Sequence, residues 1–379
     1  MTDEFDIDDA GDPLTPRENP DLLGHEAAEA TLLDAYLGGR LAHAWLISGP
    51  TGIGKATLAY RFARFVLARG GPKAGGPNLP GDAAPKESPQ EIPGSLFVAP
   101  DRPVFRRVAA GGHADLFTVE RTTDEKGRLR SEIVVADVRA LGRFFGLTAG
   151  EGGWRVAVVD SADELNRNAA NALLKVLEEP PDRGLLLLVS HNPGRLLATI
   201  RSRCRKLALQ SLAEETVAAL LRDRVASLGA EDTASLAHLA DGSPGRALAL
   251  AAEGGLALYR DMTGLLETLP ALDVGALHAF GQRLGRAGAE EAFETASALL
   301  RWWLARLIVA AAGGEAGTTR FTPEERALMG RLAAAAGLDR WFEVWEKINR
   351  LLARTGRANL DRKQVVLNVF LAIENTVRP

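Results

Sequence analysis

An α/β domain built around a phosphate-binding loop, followed by an all-helical C-terminal region, is the fold class that this sequence predicts. Three observations predict it. Short apolar strands alternate with helical periods as far as about residue 208, the stretch "GPTGIGKAT" stands between a strand and a helix, and strand patterning then stops. Strands alternating with helices argue a parallel sheet covered on both faces. The 379 residues suffice for two or three domains, each with its own core.

Each element can be justified in turn. The opening "MTDEFDIDDAGDPLTPRENP" is acidic and offers little to bury, so residues 1–20 are expected to form a disordered tail. Helical periodicity in "LLGHEAAEATLLDAYLGGR" gives way to the apolar strand "AWLISG", the glycine loop and the helix "ATLAYRFARFVLARG". Residues 70–100 are thick with Gly and Pro and read as a flexible surface excursion. Order returns with the strand "ADLFTVE", the helix "VVADVRALGRFFGL" and the strand "WRVAVVD". The helix "NRNAANALLKVLEE" is stopped by Pro180-Pro181, and "GLLLLVS" is the next strand, so the α/β domain spans 21–208. "AEETVAALLRDRVASLG", "TASLAHLADG" and "SPGRALALAAEGG" then predict a small helical lid over 209–255. Long helical runs, such as "EAFETASALLRWWLARLIVAAAG", fill 256–379.

Composition narrows the class. With 46% hydrophobic and 25% charged residues the chain is an ordinary globular one. A single cysteine, Cys204, excludes a disulfide framework or a cysteine-based zinc site within one chain. No apolar run approaches the roughly 20 residues of a membrane helix, and the acidic start is no secretory signal, so a cytoplasmic location is expected. A net charge of −4 and a pI near 6.0 do not fit the global basic footprint of an autonomous nucleic-acid binder. Local contacts inside an assembly remain open.

The motifs carry the chemistry. Gly49-Pro50-Thr51-Gly52-Ile53-Gly54-Lys55 fits G-x-x-x-x-G-K, in which glycines let backbone N–H groups face phosphate oxygens. The following helix adds its positive end and Lys55 a full charge. The next residue ordinarily supplies a hydroxyl to Mg²⁺, and here it is Ala56. Thr57 lies roughly 100° further round the helix and is expected to point elsewhere. Asp160 ends an apolar strand at the metal-side carboxylate position, but Ser161 follows it where a catalytic glutamate would stand. Serine lacks the basicity to activate water near neutral pH. Asp163 and Glu164 are out of register and are expected to cap or flank the next helix. The site should therefore hydrolyse ATP poorly or not at all, and the sequence leaves open whether nucleotide stays bound. On composition alone Arg203, among Arg195, Arg201, Arg205 and Lys206, reads as a solvated charge.

The order of these motifs changes that reading. "GPTGIGKAT", "VVDSADELNRNAANALLKVLEEPP", "SRC" and "DGSPGRALAL" together resemble the bacterial clamp-loader branch of the AAA+ ATPases, from about Leu22 to Leu250 and faintly again in "ANLDRKQVVLNVF". The "NALLKVLEEPP" block and the SRC triplet are its specific parts. The resemblance implies an AAA+ (RecA-like) domain, a lid and an all-α C-terminal collar that holds a ring of subunits together. It implies a stator subunit whose Arg203 reaches in trans to the γ-phosphate of ATP on a neighbouring gamma/tau subunit, with delta, the β sliding clamp and primed DNA as further partners. Asp160 and Arg246, the latter at the sensor-2 position, would join Gly49, Gly52, Gly54, Lys55, Ala56 and Thr57 around any bound ATP/Mg²⁺. Ser190, His191 and Asn192 occupy the sensor-1 position, where a phosphate-proximal role and a strand-end cap are both open. Many relatives carry four zinc-binding cysteines between the loop helix and the next strand; "APDRPVFRRVAAGGHADLF" has none, so no zinc is expected and His113 is read as structural. Alternatives are an active gamma/tau-type ATPase, which Ala56 and Ser161 oppose, and an unrelated P-loop enzyme, which leaves the SRC triplet unexplained.

Overall fold

Five short strands carry the sheet that the alternating pattern predicts. In the computed structural model these are β1 (Ala44–Ser48), β2 (Leu116–Val119), β3 (Arg155–Val159), β4 (Gly184–Ser190) and β5 (Arg205–Ala208). The described residues are 14–69, 93–124, 127, 129–150, 153–313, 321–358 and 360–378. Residues 1–13 of the expected tail and 70–92 of the expected excursion lie outside them.

All four pairings are parallel, in the order β2-β3-β4-β1-β5. Parallel strands need crossovers, and helices supply them. These are α2 (Lys55–Arg69), α3 (Pro103–Ala109), α4 (Val135–Phe145), α5 (Arg167–Glu178) and α6 (Ala198–Arg203), while α1 (Glu26–Leu37) precedes β1. Because side chains alternate across a strand, each strand feeds two cores. Trp45, Ile47, Val156, Val158, Leu185, Leu187 and Val189 pack with Leu58, Phe62 and Phe65 of α2 on one face. Ala44, Leu46, Ala157, Val159, Leu186 and Leu188 pack with α4, α5 and α6 on the other. Strands buried on both faces explain runs such as "GLLLLVS", and the loops at their C-terminal ends form the edge where open α/β sheets bind ligands.

Part of the expected tail belongs to the folded domain. Residues 14–20, expected in the tail, are strapped to α2 by two of its arginines. Arg64 donates to the carbonyls of Arg17 (3.1 Å) and Asn19 (2.8 Å), and Arg61 to that of Pro20 (2.7 Å) and to Glu29 (2.9 Å). Arg64 is only 1% exposed, lies 4.4 Å from the Phe105 ring, and is pushed down to about 10 by burial. Backbone carbonyls satisfy it, which a scan for apolar residues cannot see. Leu96, expected in the excursion, is fully buried, and its N–H donates to Glu29 Oε1 at 2.6 Å. Arg64→Ala leaves the half-buried carbonyls of Arg17 and Asn19 without this donor and empties a buried side-chain site, so it should lower stability by roughly 1–3 kcal/mol. The chemical-denaturation midpoint measures this, and an unchanged midpoint would mean that the strap contributes nothing.

After β5 the chain is helical: α7 (Glu214–Arg224), α8 (Ala230–Leu239), α9 (Pro244–Ala252), α10 (Gly255–Glu267), α11 (Val274–Gly285), α12 (Glu290–Ala311), α13 (Pro323–Ala335), α14 (Leu338–Ala358) and α15 (Arg362–Val377). The chain divides into two compact units, the described residues of Met1–Leu228 with Ala237–Ala247, and those of Gly229–Leu236 with Leu248–Pro379. The expected lid, 209–255, is thus shared between the units. In the second unit Trp303, Trp341, Met329, Phe370 and Ile373 are buried. Its buried Glu325 accepts from Tyr259 Oη (2.5 Å) and closes a capping box with Thr322 at the start of α13.

Candidate functional site

The glycine loop leaves β1 at the C-terminal edge of the sheet and runs into α2. Gly49, Gly52 and Gly54 have φ of 151°, 75° and 98°, and glycine adopts this region without strain. At Gly49 a Cβ would also meet the Leu209 carbonyl oxygen at 2.5 Å. His25 Nε2 donates to the Ile53 carbonyl at 2.6 Å, and Lys55 Nζ folds onto the Pro50 carbonyl. Lys55 is 3% exposed. Burial pushes its ammonium down to about 8, against the pull of the Asp160 and Asp163 carboxylates. Ala56 is half-buried, and Thr57 is buried at the start of α2.

Asp160 follows β3 with its N–H on the Val119 carbonyl (2.9 Å), and burial pushes its carboxyl up. Ser161 then turns into the left-handed region, φ 61° and ψ 55°, which is uncommon away from glycine. Its Oγ shares a hydrogen bond of 3.1 Å with His191 Nε2. Burial, reinforced by Lys55, holds the His191 imidazole below its usual range and so favours its neutral form. Asp163 neither caps nor extends α5; it lies in a 3-10 turn, and its Oδ1 accepts the His191 N–H at 2.9 Å. Burial pushes its carboxyl up, but hydrogen bonds to the charged form, led by that N–H, bring it below the usual range. Asn166 is the cap of α5, accepting from the Ala169 N–H at 2.9 Å. At the sensor-1 position Asn192 caps its own turn through the Gly194 N–H (3.2 Å), while Ser190 is fully buried.

Residues 243–246 lie directly against this loop. The Gly245 N–H donates to the Gly52 carbonyl at 2.9 Å, and the Arg246 N–H to Ser243 Oγ at 3.1 Å, at the start of α9. A Cβ at Gly52 would meet Ser243 Oγ at 2.4 Å, so the approach depends on glycine. The turn before α9 depends on it too. Gly242 has φ +76°, and a Cβ there would stand 2.5 Å from the Leu212 carbonyl oxygen. Gly242→Ala should lower stability by at least about 1–3 kcal/mol from the backbone strain alone. A denaturation midpoint within error of wild type would contradict this.

The residues fit a phosphate better than they fit a metal ion. Three positive-φ glycines, a helix N-terminus and Lys55 make a cradle for phosphate oxygens. Ala56 brings no hydroxyl, Thr57 is buried, and among the described residues no group of three or more His, Cys, Asp or Glu could hold a metal. His113 belongs to structure: it is 3% exposed, and its Nδ1 accepts the Asp115 N–H at 3.2 Å.

Arg203 is the last residue of α6 and its side chain is 38% exposed. Its guanidinium pairs with Glu178 Oε1 at 2.9 Å and donates to the Thr199 carbonyl at 3.1 Å. Cys204 beside it is buried, and burial pushes its thiol up to about 11. The structure therefore gathers Gly49, Gly52, Gly54, Lys55, Asp160 and Arg246 around one loop and holds Arg203 on another element. Sequence reasoning missed His25, the pairing of His191 with Ser161, and Glu178. Only "LEEPP", with its carboxylates ahead of a proline stop, could have drawn attention to the last.

A parallel sheet in this strand order, with a glycine loop after β1 and a carboxylate after β3, defines a P-loop α/β domain, and an all-α C-terminal region follows it. The particular likeness is to the delta-prime subunit of DNA polymerase III. The family model described as "DNA polymerase III, delta subunit" matches residues 100–213. The delta-prime subunit of Pseudomonas aeruginosa is 39% identical over 172 residues, which are 45% of this chain and 44% of that protein. The Escherichia coli delta-prime subunit is 33% identical over 219 residues, 58% of this chain and 57% of that one. The chain thus spans about half the length of the curated relatives that it matches. A gamma/tau subunit of Mycobacterium tuberculosis is 30% identical over 206 residues, 54% of this chain and 31% of that one. Among solved structures, the Thermotoga maritima RuvB Holliday junction branch migration motor is 16% identical with a TM-score of 0.37, covering 83% of this chain and 91% of that one. Among the described residues no helix is long and apolar enough to cross a membrane.

Proposed function

We propose that this chain is a delta-prime-type stator of the DNA polymerase III clamp loader, supporting ATP-dependent loading of the β sliding clamp on primed DNA during replication. In this reading residues 21–208 are the nucleotide-type domain, 209–255 the lid and 256–379 the collar that joins gamma/tau and delta subunits in the cytoplasm. Arg203 serves ATP bound by a neighbouring gamma/tau subunit, where such a finger stabilises transition-state charge. One observation carries the reading. The SRC arginine stands at the surface, while this chain's own loop has Ala56 in place of the metal-binding hydroxyl and Ser161, tied to His191, in place of the base. Its similarity to delta-prime subunits supports the same role.

The direct experiment co-purifies the chain with gamma/tau and delta subunits and measures ATPase with and without it. A stable complex whose turnover rises when the chain is present is the expected result; failure to join the complex contradicts the reading. The phosphate cradle adds a pH dependence. Lys55 loses its charge as pH rises through about 8, so ATP bound by the isolated chain should be held less tightly above that pH than at neutrality. Fluorescent-nucleotide titration at several pH values measures this, and equal affinity on both sides would contradict a charge contribution of Lys55 that is lost in this range.

A further inference from the structure

We propose that Glu178 is a resting-state holder for Arg203, a counter-ion that the arginine gives up when it engages a phosphate on a neighbouring subunit. The inference rests on the reading that Arg203 acts in trans. Arg203 does not extend freely into solvent. One guanidinium nitrogen pairs with Glu178 at 2.9 Å, and another reaches back to the carbonyl of Thr199, four residues earlier in α6. The carboxylate partner stands at the C-terminal end of a helix, since Glu178 closes α5, while Arg203 closes the short α6. Pro180-Pro181 after Glu178 keep α5 from running on, so the carboxylate is presented at a fixed place.

The charge around the pair makes a holder useful. Arg201, Arg205 and Lys206 crowd the same short stretch, and the Glu178 carboxylate is the anion paired with Arg203 among these cations. A guanidinium keeps its charge at all working pH values, so it can be traded between anions without a proton moving. The exposure of the pair sets how readily that happens. With 38% of the arginine and 50% of the glutamate side chain open to solvent, the ion pair is a weak, screened one. A desolvated terminal phosphate, carrying more charge and several acceptor oxygens, outcompetes such a carboxylate. Glu178 thus holds the guanidinium in one place before assembly and competes with the phosphate afterwards.

The test uses the clamp-loader complex reconstituted with gamma/tau and delta subunits, with ATPase followed against ATP concentration for wild type, Glu178→Gln, Arg203→Ala and the double variant. Glu178→Gln keeps the size and polarity of the side chain but removes its charge. It should lower the half-saturating ATP concentration by about two- to fivefold, the range of an exposed ion pair, and move it far more than the saturated rate. In the Arg203→Ala background the same substitution should shift nothing. If Arg203→Ala leaves the complex's ATPase at the wild-type level, the trans reading itself fails. If Arg203→Ala slows the complex but Glu178→Gln leaves the half-saturating concentration unchanged, or slows turnover as Arg203→Ala does, that reading survives and the holder is disproved. A shift that persists in the double variant also disproves it, since it would not run through Arg203.

Discussion

Incubated alone with ATP and Mg²⁺, the chain is expected to turn over about 10²–10⁴-fold more slowly than a P-loop motor that has its general base, because a positioned base typically contributes that much. The base position is not simply empty. Ser161 is turned into the left-handed region and its hydroxyl is occupied by His191 at 3.1 Å, while the neighbouring Asp163 is committed to the His191 backbone N–H. No carboxylate at this turn is left in register to accept a proton from an attacking water. The metal side is weakened independently, since Ala56 brings no hydroxyl and Thr57 is buried in the first turn of α2. Asp160 and Lys55 remain, each shifted toward its neutral form by burial. Steady-state phosphate release from the purified chain measures the effect, and turnover at the level of an ordinary motor would overturn it.

The sheet and the loop were legible because their signals are local. A strand buried on both faces must be continuously apolar, so "GLLLLVS" announces β4 without any tertiary knowledge. Three glycines and a lysine at fixed spacing announce a backbone that only glycine adopts easily, and Gly49, Gly52 and Gly54 do have positive φ. The pairings that surround the loop were not legible, because each joins residues distant in sequence. Arg64 is satisfied by the carbonyls of residues 17 and 19, Ile53 by His25, and Ser161 by His191. The acidic composition of residues 1–20 argued for a tail throughout, yet the carbonyls of Arg17, Asn19 and Pro20 are what the buried arginines of α2 bind. Asp163 shows the same limit. Its position before a helix suggested capping, but the strand-end N–H of His191 lies within reach and takes the carboxylate instead.

Arg203→Ala is the substitution with the largest expected effect. A finger that neutralises charge developing on a transferred phosphoryl group is worth roughly 10³–10⁵ in rate at the site that it faces. The arginine is surface-exposed and its partners among the described residues are one glutamate and one carbonyl, so truncation should change the stability of the chain by less than about 0.5 kcal/mol. On the proposed reading, folding and the trans role are therefore separable at this residue, unlike at Gly49 or Gly242, where the backbone itself is at stake. Unaltered thermal unfolding of the variant chain is part of the expectation.

The most direct measurement compares two complexes that differ only at residue 203, each reconstituted with gamma/tau and delta subunits and followed for DNA-stimulated ATP turnover. The variant should assemble at the wild-type size and lose the turnover of the site that borrows this arginine. Full turnover from an intact ring carrying alanine at that position would contradict the account.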